Sequence, residues 1–278
     1  MKKFCIVIPI YKEDLDPIDK LSLERLHKII SNKYDIYLVK PESLNPKNYY
    51  KILKKKNIYE VIFDSKYFKD TASYSQLCLQ YDFYNKFSDY EYMYIYQTDC
   101  YLVDDKLEEW CDKGYEYVGP PIISNNAGWK DYRNKDKYEP QVGNGGFSLR
   151  KIEVFKDITD PEGEFRKKYN LNDEQLSKVV FEDKYFLNDI YDFYEIITPS
   201  WIEALLFGID MNADIIYNVM KFQELPMGIH AWGKNIRYWQ NVLEELKDNK
   251  EVIDFCEDKY QEFFKVYYNQ ENNLEKSE

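Results

Sequence analysis

The stretch Glu91–Asp105, EYMYIYQTDCYLVDD, decides how this chain is read. Tyr92–Tyr96 has the aromatic-rich pattern of a buried strand, yet Gln97, Thr98 and Asp99 intervene before Leu102 and Val103 resume the apolar run. A carboxylate after a strand is most often part of a surface turn. In an open α/β sheet the same position is the carboxyl edge, where ligands and metal ions bind. The neighbouring elements decide between the two.

Upstream, strand and helix signals alternate. Phe4–Ile10 is a β-rich run ending in a polar loop, and Pro17–Ile30 carries Ile18, Leu21, Leu26, Ile29 and Ile30 near helical spacing. Asp35–Val39 reads as a second strand, followed by a loop with Pro41 and Pro46 and the basic stretch KILKKK. Val61–Phe63 reads as a third strand, and residues 71–87 suit a helix before Tyr92–Tyr96. Such alternation predicts a mostly parallel central sheet flanked by helices. Downstream, the pattern gives a short strand at Tyr115–Val118, a long loop over 119–140 and a glycine-rich turn in QVGNGGFSLRK. Helices are expected over 172–191, 201–207 and 235–255. The expected organisation is one α/β domain over residues 1–235, with a nucleotide-binding half at 1–100 and an acceptor half at 101–235. A helical C-terminal extension over 236–278 follows.

Composition narrows the function classes. A formal charge of -12 over 278 residues argues against nucleic acid as the main partner, because phosphate backbones select for surplus Lys and Arg. Five scattered cysteines without a C-x-x-C pair fit reduced thiols better than a disulfide framework or a zinc site. The run Phe4–Ile10 is too short and too quickly followed by charges to read as a leader, and no segment reaches the ~20 apolar residues of a membrane span. A cytoplasmic location is expected, with room for peripheral contact at the inner membrane face.

Four stretches could carry chemistry. Asp99, at the end of its strand, offers a hard oxygen ligand for magnesium or manganese. In QVGNGGFSLR, Gly143, Gly145 and Gly146 permit close backbone approach or positive φ, and Asn144 offers an amide to a sugar hydroxyl; the same letters also spell a hairpin turn. Glu182 and Asp183 beside Phe181 suit a helix start, or a carboxylate with its pKa raised by aromatic walls. In GIHAWGK, His230 could ligate a metal while Lys234 neutralises phosphate, with Trp232 between them.

In this order the four stretches resemble a family of bacterial and fungal GT-A-type glycosyltransferases, formerly described as a domain of unknown function. The resemblance rests on Gln97–Asp99, Gly143–Arg150, Glu182–Asp183 and Gly228–His230, together with residues 74–87, and spans roughly residues 4–235. It implies a GT-A-like fold and transfer of a sugar from a nucleotide-sugar donor, with UDP as the default nucleotide, to a hydroxyl of a glycan or glycolipid. The setting implied is bacterial surface polysaccharide or glycoconjugate synthesis. By position, Pro9, Tyr11 and Glu13 would lie near base and ribose, and Asp99 and His230 would hold a divalent Mn2+ or Mg2+. Gln97 and Lys234 would lie by the diphosphate. Asn144, Gly145 and Gly146 would border the sugars, with Trp129 and Trp232 as stacking candidates. Asp183, with Glu182 beside it, would be the base of an inverting displacement. Gln97 stands where the first acid of a DxD-type tripeptide would be, which leaves fewer negative metal ligands. A sugar-phosphate nucleotidylyltransferase is disfavoured, because the loop after the first strand, PIYKEDLDP, lacks glycine. A non-catalytic nucleotide- or glycan-binding module is the remaining alternative, and Gln97 is its main support.

Overall fold

The computed structural model describes residues 1–30, 33–54, 57–123, 141–169, 172–186 and 195–265. Its centre is a six-stranded sheet in the order β3-β2-β1-β4-β9-β6, formed by β1 (Lys2–Pro9), β2 (Ile36–Pro41), β3 (Ile58–Phe63), β4 (Tyr90–Tyr96), β6 (Tyr117–Val118) and β9 (Phe147–Lys151). The pairings β1–β2, β2–β3 and β1–β4 are parallel, and β9 runs antiparallel to β4 and β6. This is the expected α/β architecture, a mostly parallel sheet flanked by helices.

Alternation along the central strands divides the core. Phe4, Ile6 and Ile8 pack with Tyr92, Tyr94 and Tyr96 on one face, while Cys5 and Val7 pack with Met93 and Ile95 on the other. Burial on both faces is why these strands lack a polar stripe. Because β4 pairs with β1 on the side away from β2, the strand order reverses between β1 and β4. A crevice opens outside the carboxyl ends of the strands at such a reversal.

After Tyr96 the chain leaves this sheet. A turn over Gln97–Cys100, closed by the Cys100 amide donating to the Gln97 carbonyl (3.0 Å), delivers it to β5 (Tyr101–Leu102). That strand joins a second sheet with β10 (Gly208–Ile209) and β11 (Gly228–Ile229), in the order β10-β11-β5. The interrupted strand of the sequence is therefore one segment serving two sheets.

Several expectations are corrected. The glycine-rich turn is not a hairpin: β8 (Gln141–Val142) pairs with β7 (Pro121–Ile122), whereas β9 pairs with β4 and β6. The helix expected over 71–87 is two, Thr71–Cys78 and Tyr81–Asn85, since Leu77, Cys78 and Leu79 are all buried and three consecutive positions cannot share one face of a straight helix. The stretch after Pro46 is helical over Lys47–Leu53 and buries Tyr49 and Leu53. In the C-terminal part, helices at Ile236–Trp239 and Lys250–Lys259 are separated by turns, and the second starts where the Asn249 side chain accepts from the Val252 amide (3.3 Å). Of the helix expected over 172–191, Asp173–Leu176 and Glu182–Lys184 are helical and 187–191 lies outside the described residues. Among the described residues no helix is long and apolar enough to cross a membrane.

Candidate active site

The short parallel pairing of β10 with β11 places Gly208 beside Gly228 and Ile209 beside Ile229, so the residues that follow, Asp210 and His230, emerge together. Both glycines are needed for space. A Cβ on Gly208 would come 3.1 Å from Phe147 Cδ1, and one on Gly228 would overlap the same ring more severely. Phe147 is thus seated against two bare backbones, which fixes the start of β9 and the glycine-rich turn before it.

His230 is held by charge on both sides. Its Nδ1 lies 2.9 Å from Asp210 Oδ1, and a carboxylate only accepts, so Nδ1 carries the proton. The Nε2 atom faces the turn after β4, 3.5 Å from Asp99 Oδ1 and 3.4 Å from Gln97 Oε1. Burial pulls the His230 pKa down, but Asp99 and Asp210 outweigh it and the net shift is upward. Burial works against ionised Asp210, yet His230, Lys234 and Asn144 hold its pKa below the ordinary carboxylate value.

Asn144 connects this group to the other candidate carboxylate. It sits in the left-handed region (φ 67°), and its Nδ2 lies 2.9 Å from His230 Nδ1; both are donors, and they share the Asp210 carboxylate as acceptor. Its backbone amide donates to Asp183 Oδ2 (3.1 Å), and its Oδ1 accepts from the Gly146 amide (3.1 Å). One residue therefore touches both Asp183 and His230, and His230 touches Asp99.

The glycines on either side of this junction are required for close approach rather than for unusual φ. A Cβ on Gly146 would lie 2.5 Å from both Gln97 Oε1 and His230 Nε2. A Cβ on Gly145 would collide with Glu182 Oε1 and lie 2.5 Å from Arg150 Nη2. Glu182 is itself buried: its Oε1 accepts from Arg150 Nη2 (2.9 Å) and its Oε2 from Ser75 Oγ (2.8 Å). Fully buried Arg150 also donates to Tyr84 Oη (3.0 Å) and Ser148 Oγ (3.1 Å). Glu182 is thereby committed to the scaffold.

A cavity of about 390 Å³ opens at the carboxyl ends of β1 and β4, which lie side by side. Pro9, Tyr11, Gln97 and Asp99 line it, joined by the Tyr67–Thr71 segment that precedes the helix Thr71–Cys78. The other expected residues fall elsewhere. Glu13 accepts from the Asn45 amide (2.9 Å) and anchors that loop. Trp232 is fully buried in a core cluster with Tyr101 and Trp239, so its ring is not presented to a ligand. Lys234 does not line the cavity, but it stays near enough to Asp210 and His230 to act on both by charge, with its Nζ 6.0 Å from the Phe263 ring centroid; Trp129 lies outside the described residues.

The donor set suits a hard or borderline cation. Asp99, Cys100 and His230 each offer a ligand atom within 4.8 Å of the others. Burial pushes the Cys100 thiol well up, and its Sγ donates to the Gly146 carbonyl (3.3 Å), so it stays protonated. What remains is a carboxylate, an imidazole nitrogen fixed by a carboxylate behind it, and the Gln97 amide oxygen, a combination compatible with manganese or magnesium.

Residues 57–230 match the family model described as "Protein of unknown function (DUF5672)". No curated protein matches the sequence. Among solved structures, apo mouse xyloside xylosyltransferase 1 is similar with a TM-score of 0.53 at 10% identity, covering 82% of this chain and 97% of that one. The galactosyltransferase LgtC, solved with donor and acceptor sugar analogs, aligns with a TM-score of 0.49 at 12% identity over 81% of this chain and 86% of that one. The likeness to the mouse structure is one of fold.

Proposed function

The chain belongs to the DUF5672 family, and from that premise and the geometry of its site we propose that it is a nucleotide-sugar-dependent glycosyltransferase. One observation carries the reading: Asn144 contacts both Asp183 and His230, so a carboxylate suited to base chemistry and a metal-ligand pair, His230 with Asp99, share one junction. That junction lies by the Gln97–Asp99 turn, which lines a cavity at the sheet's topological switch point, where a nucleotide belongs in an open α/β fold.

Asp99 and His230 Nε2, with Gln97 Oε1 as a neutral third donor, would hold a divalent cation. Such a cation neutralises negative charge developing on a diphosphate leaving group. Asp210 keeps the Nδ1 proton in place, so the imidazole presents an unprotonated Nε2 in its neutral form. Asp183 receives the proton of the acceptor hydroxyl as that oxygen attacks the anomeric carbon, and the anomeric carbon–oxygen bond breaks on the opposite face, its electron pair leaving on the diphosphate. The Asn144 amide orients the Asp183 carboxylate for this. Single displacement by that route inverts the anomeric configuration. A UDP-sugar is the first donor to test, and a hydroxyl of a glycan or glycolipid is the acceptor.

A panel of nucleotide sugars screened by thermal shift with and without Mn2+ tests the reading. At least one donor should raise the Tm in a Mn2+-dependent manner, and the anomeric proton coupling of the product should report inversion. A panel that leaves the Tm unchanged, with no product in any mixture, rules the proposal out.

A further inference from the structure

The cavity at the carboxyl ends of β1 and β4 has a lysine-bearing wall that the proposed mechanism does not use. Lys12, from the loop after β1, lines it together with Lys259 and Tyr260 at the end of the helix Lys250–Lys259. The two ammonium groups meet on one carboxylate oxygen: Asp16 Oδ2 accepts from Lys259 Nζ at 3.0 Å and from Lys12 Nζ at 3.1 Å. Lys12 Nζ also lies 2.5 Å from Asp19 Oδ2, while Asp19 Oδ1 accepts from Thr98 Oγ1 (2.6 Å). The cationic pair is therefore tied to the same Gln97–Asp99 turn that carries the candidate metal ligand.

This wall is built into the fold. Val252 and Cys256 of the C-terminal helix are buried in one cluster with Trp232 and Trp239. A Cβ on Gly233 would lie 3.0 Å from Tyr260 Cε2 and 3.2 Å from Cys256 Sγ, so the glycine three residues after His230 lets the helix seat closely. A lysine at a helix C-terminus is favoured by the dipole alone. The dipole does not require that lysine to reach Asp16, 243 positions earlier, at the edge of a cavity. Each ammonium has three donors, and the lysines share acceptors here, so both keep N–H groups for an incoming anion. Their side chains are 28% and 39% exposed, open enough to be reached.

We infer that Lys12 and Lys259 seat the diphosphate of the donor and that Tyr260 walls the same cavity, which makes the C-terminal helix part of the donor site. The inference rests on the transferase reading, although all three residues lie outside the segment matched by the family model. Asp16 holds the two ammoniums in position before the donor arrives.

Calorimetry on the full chain with UDP, GDP, CDP and ADP in Mn2+ tests it. The wild-type chain should bind at least one diphosphate, Lys259→Gln should bind that diphosphate about tenfold more weakly with a Tm no lower than that of Asp16→Asn, and Lys259→Arg should recover most of the loss. Lys12→Gln should weaken binding by a similar factor. Wild-type affinity in Lys259→Gln overturns the inference while leaving the transferase reading intact. So does a loss that tracks a lowered Tm and is not recovered by arginine. If the wild-type chain binds none of the four diphosphates, the donor site and this inference fail together.

Discussion

Glu182 and Asp183 are adjacent in the chain and end in opposite circumstances. Glu182 lies in a sealed node, where Arg150, Ser75, Tyr84 and Ser148 complete one another's hydrogen bonds away from water. Asp183 meets the Asn144 amide at the edge of an open node, where Asp99 remains 37% exposed and His230 turns Nε2 toward it. A buried network with its polar atoms paired has nothing left to offer a ligand and acts as a fastening. At the open node Gln97 and Asp99 line a cavity. The Asn144–Gly145–Gly146 turn separates the two, with Gly145 pressed on the sealed node and Gly146 on the open one.

The comparison breaks most visibly at the two carboxylates. Asp183→Asn should lower transfer about 10²- to 10⁴-fold, the range for loss of a general base, while Tm and nucleotide affinity stay near wild type. A large Tm loss instead would make Asp183 a second fastening. Next comes the sealed node. Arg150→Met leaves Glu182 buried without its cation and should cost about 3–5 kcal/mol in urea unfolding. Arg150→Met with Glu182→Leu should recover much of that loss, because the uncompensated charge is gone.

A finer test sets the two glycines against each other. Gly145→Ala forces a methyl into a network that cannot yield and should cost about 1–3 kcal/mol. Gly146→Ala meets the ends of Gln97 and His230, which can swing away, so it should spare the Tm and weaken Mn2+ binding. Equal Tm losses would remove the distinction.

The smallest effect is expected at Asp16. Burial raises its pKa, but the Asp19 amide, Lys259 and Lys12 outweigh that and bring it from 3.8 to about 2. A depressed carboxylate pKa adds stability above the unfolded value and loses it as pH falls through the folded one. Between pH 4 and pH 2 the wild-type chain should therefore lose more urea resistance than Asp16→Asn. Parallel curves would show that Asp16 is not held by these partners.

Much of this was legible in the sequence because buried strands declare themselves. The apolar runs at Phe4–Ile10 and Tyr92–Tyr96 are β1 and β4 to within two residues, and Pro17–Ile30 is a helix over the expected span. The carboxyl-edge position of Asp99 followed from that alternation. Asp210 was not anticipated, although a signal for it existed: Gly208-Ile209-Asp210 and Gly228-Ile229-His230 share a Gly-Ile pair, and the two pairs align in register. Dipeptide strands are too short for periodicity to reveal. Glu182 read like Asp183 because its partner, Arg150, is 32 positions away. The lysine wall joins residues 12 and 259, a pairing that only the folded chain brings about.

The most direct test of the central claim is the release of nucleoside diphosphate from a panel of nucleotide sugars in Mn2+, measured for the wild-type chain, Asp99→Asn and Asp183→Asn. Release from at least one donor is expected of the wild-type chain, with near-complete loss in both variants, each still folded. Release at the wild-type rate by either variant, or none from any donor by the wild-type chain, would contradict that claim.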